Sequence, residues 1–122
     1  MDGSDRLSLE SLDVRRVARL IDRFPRLRTR LFTEMESQYC DLNRRKPHQH
    51  YAARLAAKFA VRRLLGGGAL REIEVVRDSS GSPSIRLHGR ADRIAEGRDI
   101  LISLSHEGAL ALAYVFVSER HV

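Results

Sequence analysis

Pro47-His48-Gln49-His50-Tyr51-Ala52-Ala53-Arg54-Leu55-Ala56-Ala57-Lys58-Phe59-Ala60-Val61-Arg62-Arg63-Leu64-Leu65-Gly66-Gly67-Gly68 is the stretch around which the remaining sequence is arranged. It reads as one helix of about five turns. Pro47 suits a first-turn position, the interior is rich in Ala, Leu, Arg and Lys, and the run of glycines supplies a stop that tolerates positive φ. Tyr51, Leu55 and Phe59, joined by Ala52, Ala56, Ala60 and Leu64, form a wide apolar surface that must face a core. Beside it Arg54, Lys58 and Arg62, with Arg63 next to them, form a basic stripe. That stripe has two readings. It is a solvated charged edge, or it is a phosphate-binding edge, because stacked cations beside an apolar groove suit a phosphorylated ligand.

Upstream, Leu7, Leu9 and Leu12 mark a short strand running into Asp13. From Val14 the period turns helical: Val14, Val17, Ala18, Leu20 and Ile21 share one side, Arg15, Arg16, Arg19 and Arg23 the other, and Asp13 stands at the N-cap position. Phe24-Pro25 breaks this helix, and Arg26, Arg28 and Arg30 add positive charge. Thr33 and Glu36 have the spacing of a capping box, with a helix through Asn43 behind them and Arg44-Arg45-Lys46 as a solvated linker. After Gly68 the period becomes alternating. Strands over 72–77 and 84–88 flank the turn Asp78-Ser79-Ser80-Gly81, a short helix falls within 89–97, and strands over 100–105 and 109–117 flank the turn His106-Glu107-Gly108. Helices first and strands later make an α+β plan, with an antiparallel sheet packed on the long central helix.

Composition narrows the function classes. A chain of 122 residues predicts a single domain over 1–122, with 1–6 frayed and disordered. The lone Cys40 excludes an internal disulfide, and its neighbours Leu31, Phe32, Met35 and Tyr39 predict a buried structural thiol. No apolar run is long enough to span a bilayer and the N-terminus is acidic, so the expected location is cytoplasmic, with no membrane partner. A net charge of +6 calls for an acidic partner. Aromatic residues are few and not interleaved with the basic ones, which argues against nucleic acid. His48, His50 and His88 lack metal-site spacing, and Ser105-His106-Glu107 lacks the Gly-x-Ser-x-Gly elbow of a hydrolase.

Several strings nevertheless occur together in a telling order: Phe32-Thr33-Glu34, then Ala52-Ala53-Arg54-Leu55-Ala56-Ala57-Lys58, then Ile73 to Pro83 continuing to Leu87-His88-Gly89, then Ser103-Leu104-Ser105-His106. In these the chain resembles the AcpS-type 4′-phosphopantetheinyl transferases, the holo-acyl-carrier-protein synthases, from about Leu12 to Val117. The resemblance implies that family's fold and its reaction, transfer of phosphopantetheine from coenzyme A to a serine of an acyl carrier protein with Mg2+. It further implies a metal-binding and catalytic role for Asp13, catalytic roles for Lys58 and His106, and a coenzyme A site drawing on Arg54, Lys58, Arg62, Ser105 and His106. Carrier-protein contacts fall to Arg15, Arg19, Arg23 and Arg26, and the assembly to a homotrimer.

One position departs from the pattern. Where the family has Lys-Glu-Ala, with the Glu a metal ligand, this chain has Lys58-Phe59-Ala60, and a phenyl ring cannot ligate magnesium. Ser11 replaces a family glycine and Arg16 stands where the family often has Glu. The expected function is a divergent family member that meets an acyl carrier protein and coenzyme A with transfer weak or lost. The alternatives are an active magnesium-dependent transferase that replaces the missing ligand with Asp13 plus water or with Glu107, and a repurposed enzyme whose Phe59-lined pocket handles a carrier-tethered polyketide or fatty-acyl chain.

Overall fold

A computed structural model describes residues 5–43 and 45–118. The central helix, α4 (Pro47–Leu65), runs where its composition predicts, and Gly66 closes it in the left-handed conformation at φ 82°. Gly68 is just as constrained: at φ 97° a Cβ there would sit 2.9 Å from that of Ala91, so no side chain fits.

Before α4 come β1 (Arg6–Asp13), α1 (Val14–Arg23), α2 (Pro25–Leu31) and α3 (Glu34–Leu42). Both predicted caps are present. Asp13 Oδ1 accepts from the Arg15 and Arg16 amides at 2.9 and 3.2 Å, and Thr33 with Glu36 forms the reciprocal capping box. The helix α2 was not expected: Pro25 reads as a breaker, but it also fits the first position of a new helix. Of the frayed segment expected over 1–6, residues 1–4 lie outside the described residues, and Arg6 already opens β1. Arg44 of the expected linker also lies outside them.

After α4 come β2 (Ile73–Arg77), β3 (Pro83–Leu87), α5 (Gly89–Ala95), β4 (Asp99–Glu107) and β5 (Leu110–Ser118). The strands form two antiparallel units, a β2-β3 hairpin and a sheet in the order β1-β5-β4. The last hairpin is tighter than the predicted turn: Glu107 pairs with Leu110, so His106 and Glu107 belong to β4 and only Gly108 and Ala109 turn.

One sheet face carries Ala111, Ala113, Val115 and Val117 of β5, all buried, onto α4. Their small side chains meet Ala52, Ala53, Ala56, Ala57 and Ala60, which lets the helix lie close against the strands. Cys40 is fully buried in this core, and burial pushes its thiol up to about 12. Among the described residues no helix is long and apolar enough to cross a membrane.

The basic stripe of α4 does not stay on the surface. Arg54 is 2 % exposed and Lys58 0 %, which corrects the solvated-edge reading for both; Arg62 and Arg63 are exposed. Lys58 Nζ sits 2.5 Å from Glu36 Oε1 and donates to the carbonyls of Leu31 at 2.6 Å and Leu70 at 3.2 Å. Glu36 in turn accepts from the amides of Thr33 and Val75, both at 2.9 Å. Thr33 Oγ1 donates to Glu74, whose other oxygen lies 3.0 Å from His88 Nε2. Burial pulls the Lys58 ammonium below its usual range while Glu36 pushes it back up.

This network sets a stability prediction. Lys58→Ala strands Glu36 as an unpaired buried charge, with an expected loss of about 3–5 kcal/mol in urea unfolding. Lys58→Met combined with Glu36→Gln should recover part of that loss, because no unpaired charge is then buried and the remaining side-chain oxygen still accepts from one of the two backbone amides. A loss under about 1 kcal/mol for Lys58→Ala, the value expected of a surface ion pair, would contradict the buried pair.

Candidate functional site

The end of β1 places Asp13 at the mouth of a groove of about 830 Å³ between β1, α1, α2 and α4. Its floor and walls are apolar: Leu12, Val17, Leu27, Leu31, Leu55 and Phe59. Arg16, Arg19 and Arg23 line its edge, and Leu20 and Phe24 beside them are 46 % and 50 % exposed. A second cavity of about 480 Å³ shares Leu12 and Phe59 with the first and adds Glu10, Arg62, Arg63, Gly66 and Gly67. There Glu10 pairs with Arg63 at 2.5 Å, and Arg63 also donates to Ser8 Oγ at 3.2 Å. Phe59 therefore forms the wall between two openings.

The residues around Asp13 do not by themselves make a magnesium cage. Among the described residues Asp13 is the only carboxylate lining its groove, and its Oδ1 already caps α1. The other polar groups there are Ser11 and the guanidinium groups of Arg16, Arg19 and Arg23, which repel a cation. Glu10 of the adjoining cavity is paired with Arg63. Among the described residues no three His, Cys, Asp or Glu side chains stand together as a metal site. Glu107 lies opposite Leu110, which lies opposite Asp13, so it is two strands away and lines neither cavity.

A different face of α4 carries a cationic cluster. Arg54 and Phe59 stand ~140° apart around the helix at 100° per residue. The Arg54 guanidinium lies 4.1 Å from the centroid of the Tyr39 ring, and Arg77 lies 5.0 Å from the same ring. Both line a cavity of about 260 Å³, with Arg86 at its edge. Arg54 Nε is buried without a hydrogen-bond partner. A buried donor left unpaired among cations suits an incoming anion, so this cluster fits a phosphate group. His50 packs edge-on against Tyr39, and burial together with Arg54, Arg77 and His106 pulls its pKa below the usual histidine value.

The predicted site residues thus fall into separate groups. Asp13, Arg19, Arg23 and Phe59 share the groove, and Arg62 stands in the adjoining cavity. Arg15 and Arg26 are exposed beside the groove without lining it. Arg54 belongs to the cluster on Tyr39; Ser105 and His106 are exposed on β4 and line neither the groove nor its neighbour. Lys58, expected at a ligand, is enclosed with its donors committed to Glu36, Leu31 and Leu70. Sequence reasoning missed Glu10, Tyr39 and Arg77. The inward alternation Ser8, Glu10, Leu12 in β1 was the available signal for Glu10, since it sets a carboxylate against the arginines of α4.

Two relatives of similar sequence are holo-acyl-carrier-protein synthases by name. The chain is 41 % identical to a holo-acyl-carrier-protein synthase of Geobacter sulfurreducens, over 92 % of this chain and 94 % of that protein. It is 40 % identical to the Moorella thermoacetica synthase, over 89 % and 90 %. A Helicobacter pylori synthase solved in complex with coenzyme A superposes with a TM-score of 0.79 at 21 % identity, covering 93 % of this chain and 100 % of that one, which is a likeness of fold. No family model matches the chain.

The crowding of cations around His50 is measurable. By NMR its ring should titrate below the ordinary 6.5, because burial first, and the neighbouring Arg54, Arg77 and His106 after it, disfavour the imidazolium. Arg54→Ala should move that midpoint upward. A midpoint at or above 6.5 in the unmodified protein, or one that Arg54→Ala leaves unmoved, would contradict the cluster.

Proposed function

Because the chain belongs to the holo-acyl-carrier-protein synthase family, we propose that it docks an acyl carrier protein and binds coenzyme A, while phosphopantetheinyl transfer is weak or lost. The observation that carries this reading is Phe59, which forms the groove wall beside an Asp13 already committed to capping α1. In the transfer, the carrier's serine hydroxyl attacks a phosphorus of the coenzyme A diphosphate, the phosphoanhydride bond breaks to release the adenosine 3′,5′-bisphosphate portion, and the serine proton leaves. Phe59 neither accepts that proton nor holds a counter-ion for the diphosphate. Losing one such contact lowers rates on the order of a hundredfold or more.

Recognition asks less of the site than chemistry does. Arg15, Arg19, Arg23 and Arg26 are all exposed on α1 and α2, and Leu20 and Phe24 stand half-exposed among them. A charged rim around apolar anchors suits an acidic, amphipathic helix of the carrier, with electrostatic steering supplied by the arginines. For coenzyme A, the Arg54 cluster offers a place for a phosphate, with Ser105 and His106 on β4 as further contributors.

The family resemblance implies a homotrimer, and the separation of the groove from the Arg54 cluster on one chain is compatible with a site completed between copies. The sheet face turned away from α4 supports it as well. Leu7, Leu9, Leu101 and Tyr114 are 71 %, 53 %, 66 % and 45 % exposed there, and Phe116 and Leu112 share that face by register. Such a patch exceeds scattered surface apolar residues and suits an interface. The cytoplasm is the proposed compartment, supported by a buried, unpaired Cys40.

Intact-mass analysis of an apo carrier incubated with this protein, coenzyme A and magnesium tests the transfer. Little or no adduct is expected over a period in which an active family member modifies the same carrier fully; modification at a comparable rate would overturn the reading. Phe59→Glu should raise the rate by about tenfold or more if the wall is the main defect. Light scattering should give the mass of three copies, and Leu101→Glu should shift it toward one; a monomeric unmodified protein would refute the assembly.

A further inference from the structure

We infer that His50 belongs to the anion site built on Arg54 and enters it protonated, so that the site takes up a proton when a phosphate-type dianion binds. This rests on the phosphate site offered above to coenzyme A and deepens it, whichever phosphate fills it. Arg54 is 2 % exposed, yet its Nε has no hydrogen-bond partner, and a buried donor of that kind is costly unless a ligand meets it. The cavity of about 260 Å³ that Arg54 lines also takes Met35 and Tyr39 from α3, Arg77 from β2 and Arg86 from β3. Among the described residues no carboxylate lines it. Guanidinium groups gathered without a counter-charge suit one tetrahedral dianion.

His50 stands four residues before Arg54, one turn away on the same face of α4. Both meet the Tyr39 ring: His50 packs edge-on with centroids 5.6 Å apart, and the Arg54 guanidinium lies 4.1 Å from the ring centre. Arg77 approaches that ring too, at 5.0 Å. The groups around His50 are thus Arg54 of its own helix, Tyr39 of α3, Arg77 of β2 and His106 of β4, and none of them is a carboxylate. Burial first, then these cations, keep the ring neutral. A dianion seated among the guanidinium groups offsets their field at His50, so the imidazolium forms more easily and adds a further positive charge beside the ligand. Arginine alone would make an anion site indifferent to pH, because guanidinium does not titrate. With His50 the site holds its ligand tightest in acid: affinity is greatest below the midpoint of the free ring and declines as pH rises through the higher midpoint of the occupied one.

NMR titration of the His50 ring in chloride, and again in sulfate at the same ionic strength, tests this, since sulfate stays dianionic throughout the histidine range. The His50 midpoint should rise by about 0.5 pH or more in sulfate, equivalent to sulfate binding about threefold tighter on the acid side. His48, two residues earlier and paired with Asp22, should stay where it is. Arg77→Ala, at an exposed position, should reduce the rise, and His50→Gln should remove the pH dependence of sulfate affinity. A His50 midpoint that sulfate leaves unmoved, or a rise that His48 shares equally, would overturn the proton link whether or not coenzyme A binds. Coenzyme A and dephospho-coenzyme A then identify the phosphate. A rise with both points to the diphosphate, and a rise with coenzyme A alone to its 3′-phosphomonoester. A rise with sulfate but with neither coenzyme supports the proton-linked site and refutes its assignment to coenzyme A.

Discussion

The ion pair between Lys58 and Glu36 is the constraint on which the remaining arrangement depends. Neither side chain reaches solvent, so each must be neutralised and fully hydrogen-bonded inside the protein. Their partners come from separate elements: the carbonyl ending α2, the cap of α3, the turn after α4, and the amide of Val75 in β2. One pair therefore fixes where two short helices and the hairpin sit against the central helix. Removing either charge leaves the other without a partner in a place water does not reach.

That placement turns α4 around relative to what its composition suggests. A lysine and an arginine face inward while a phenylalanine is half-buried at the wall of a groove. The physical reason is that cations can be buried when enough acceptors or an aromatic face await them, as Glu36 does for Lys58 and Tyr39 for Arg54. Phe59 is then free to wall an apolar groove beside Asp13. On the proposed reading, the uncharged wall and the arginines around it separate recognition from catalysis on the same surface.

Much of this was legible in the residues, because local signals and tertiary structure agree. The caps at Asp13 and Thr33, the span of α4, the glycine stop and both hairpins follow from short-range chemistry. What escaped depends on contacts between distant parts. The burial of Arg54 and Lys58 requires Tyr39 and Glu36, which spacing within α4 does not reveal. The helix α2 has only two leucines among arginines, so its pattern is too weak to announce itself after a proline. In the site, Asp13 and Phe59 stood out through the family resemblance, whereas Glu10 and Arg77 act through partners that only the fold brings close.

The central claim is that this surface recognises its partner without a divalent cation. Calorimetric titration of the apo carrier, in magnesium and again in a chelator, at two ionic strengths, tests it most directly. The account predicts that affinity falls as salt screens the arginines and is the same with and without magnesium. Binding that tightens several-fold on adding magnesium would contradict it, because a metal would then be held where Phe59 leaves only one carboxylate.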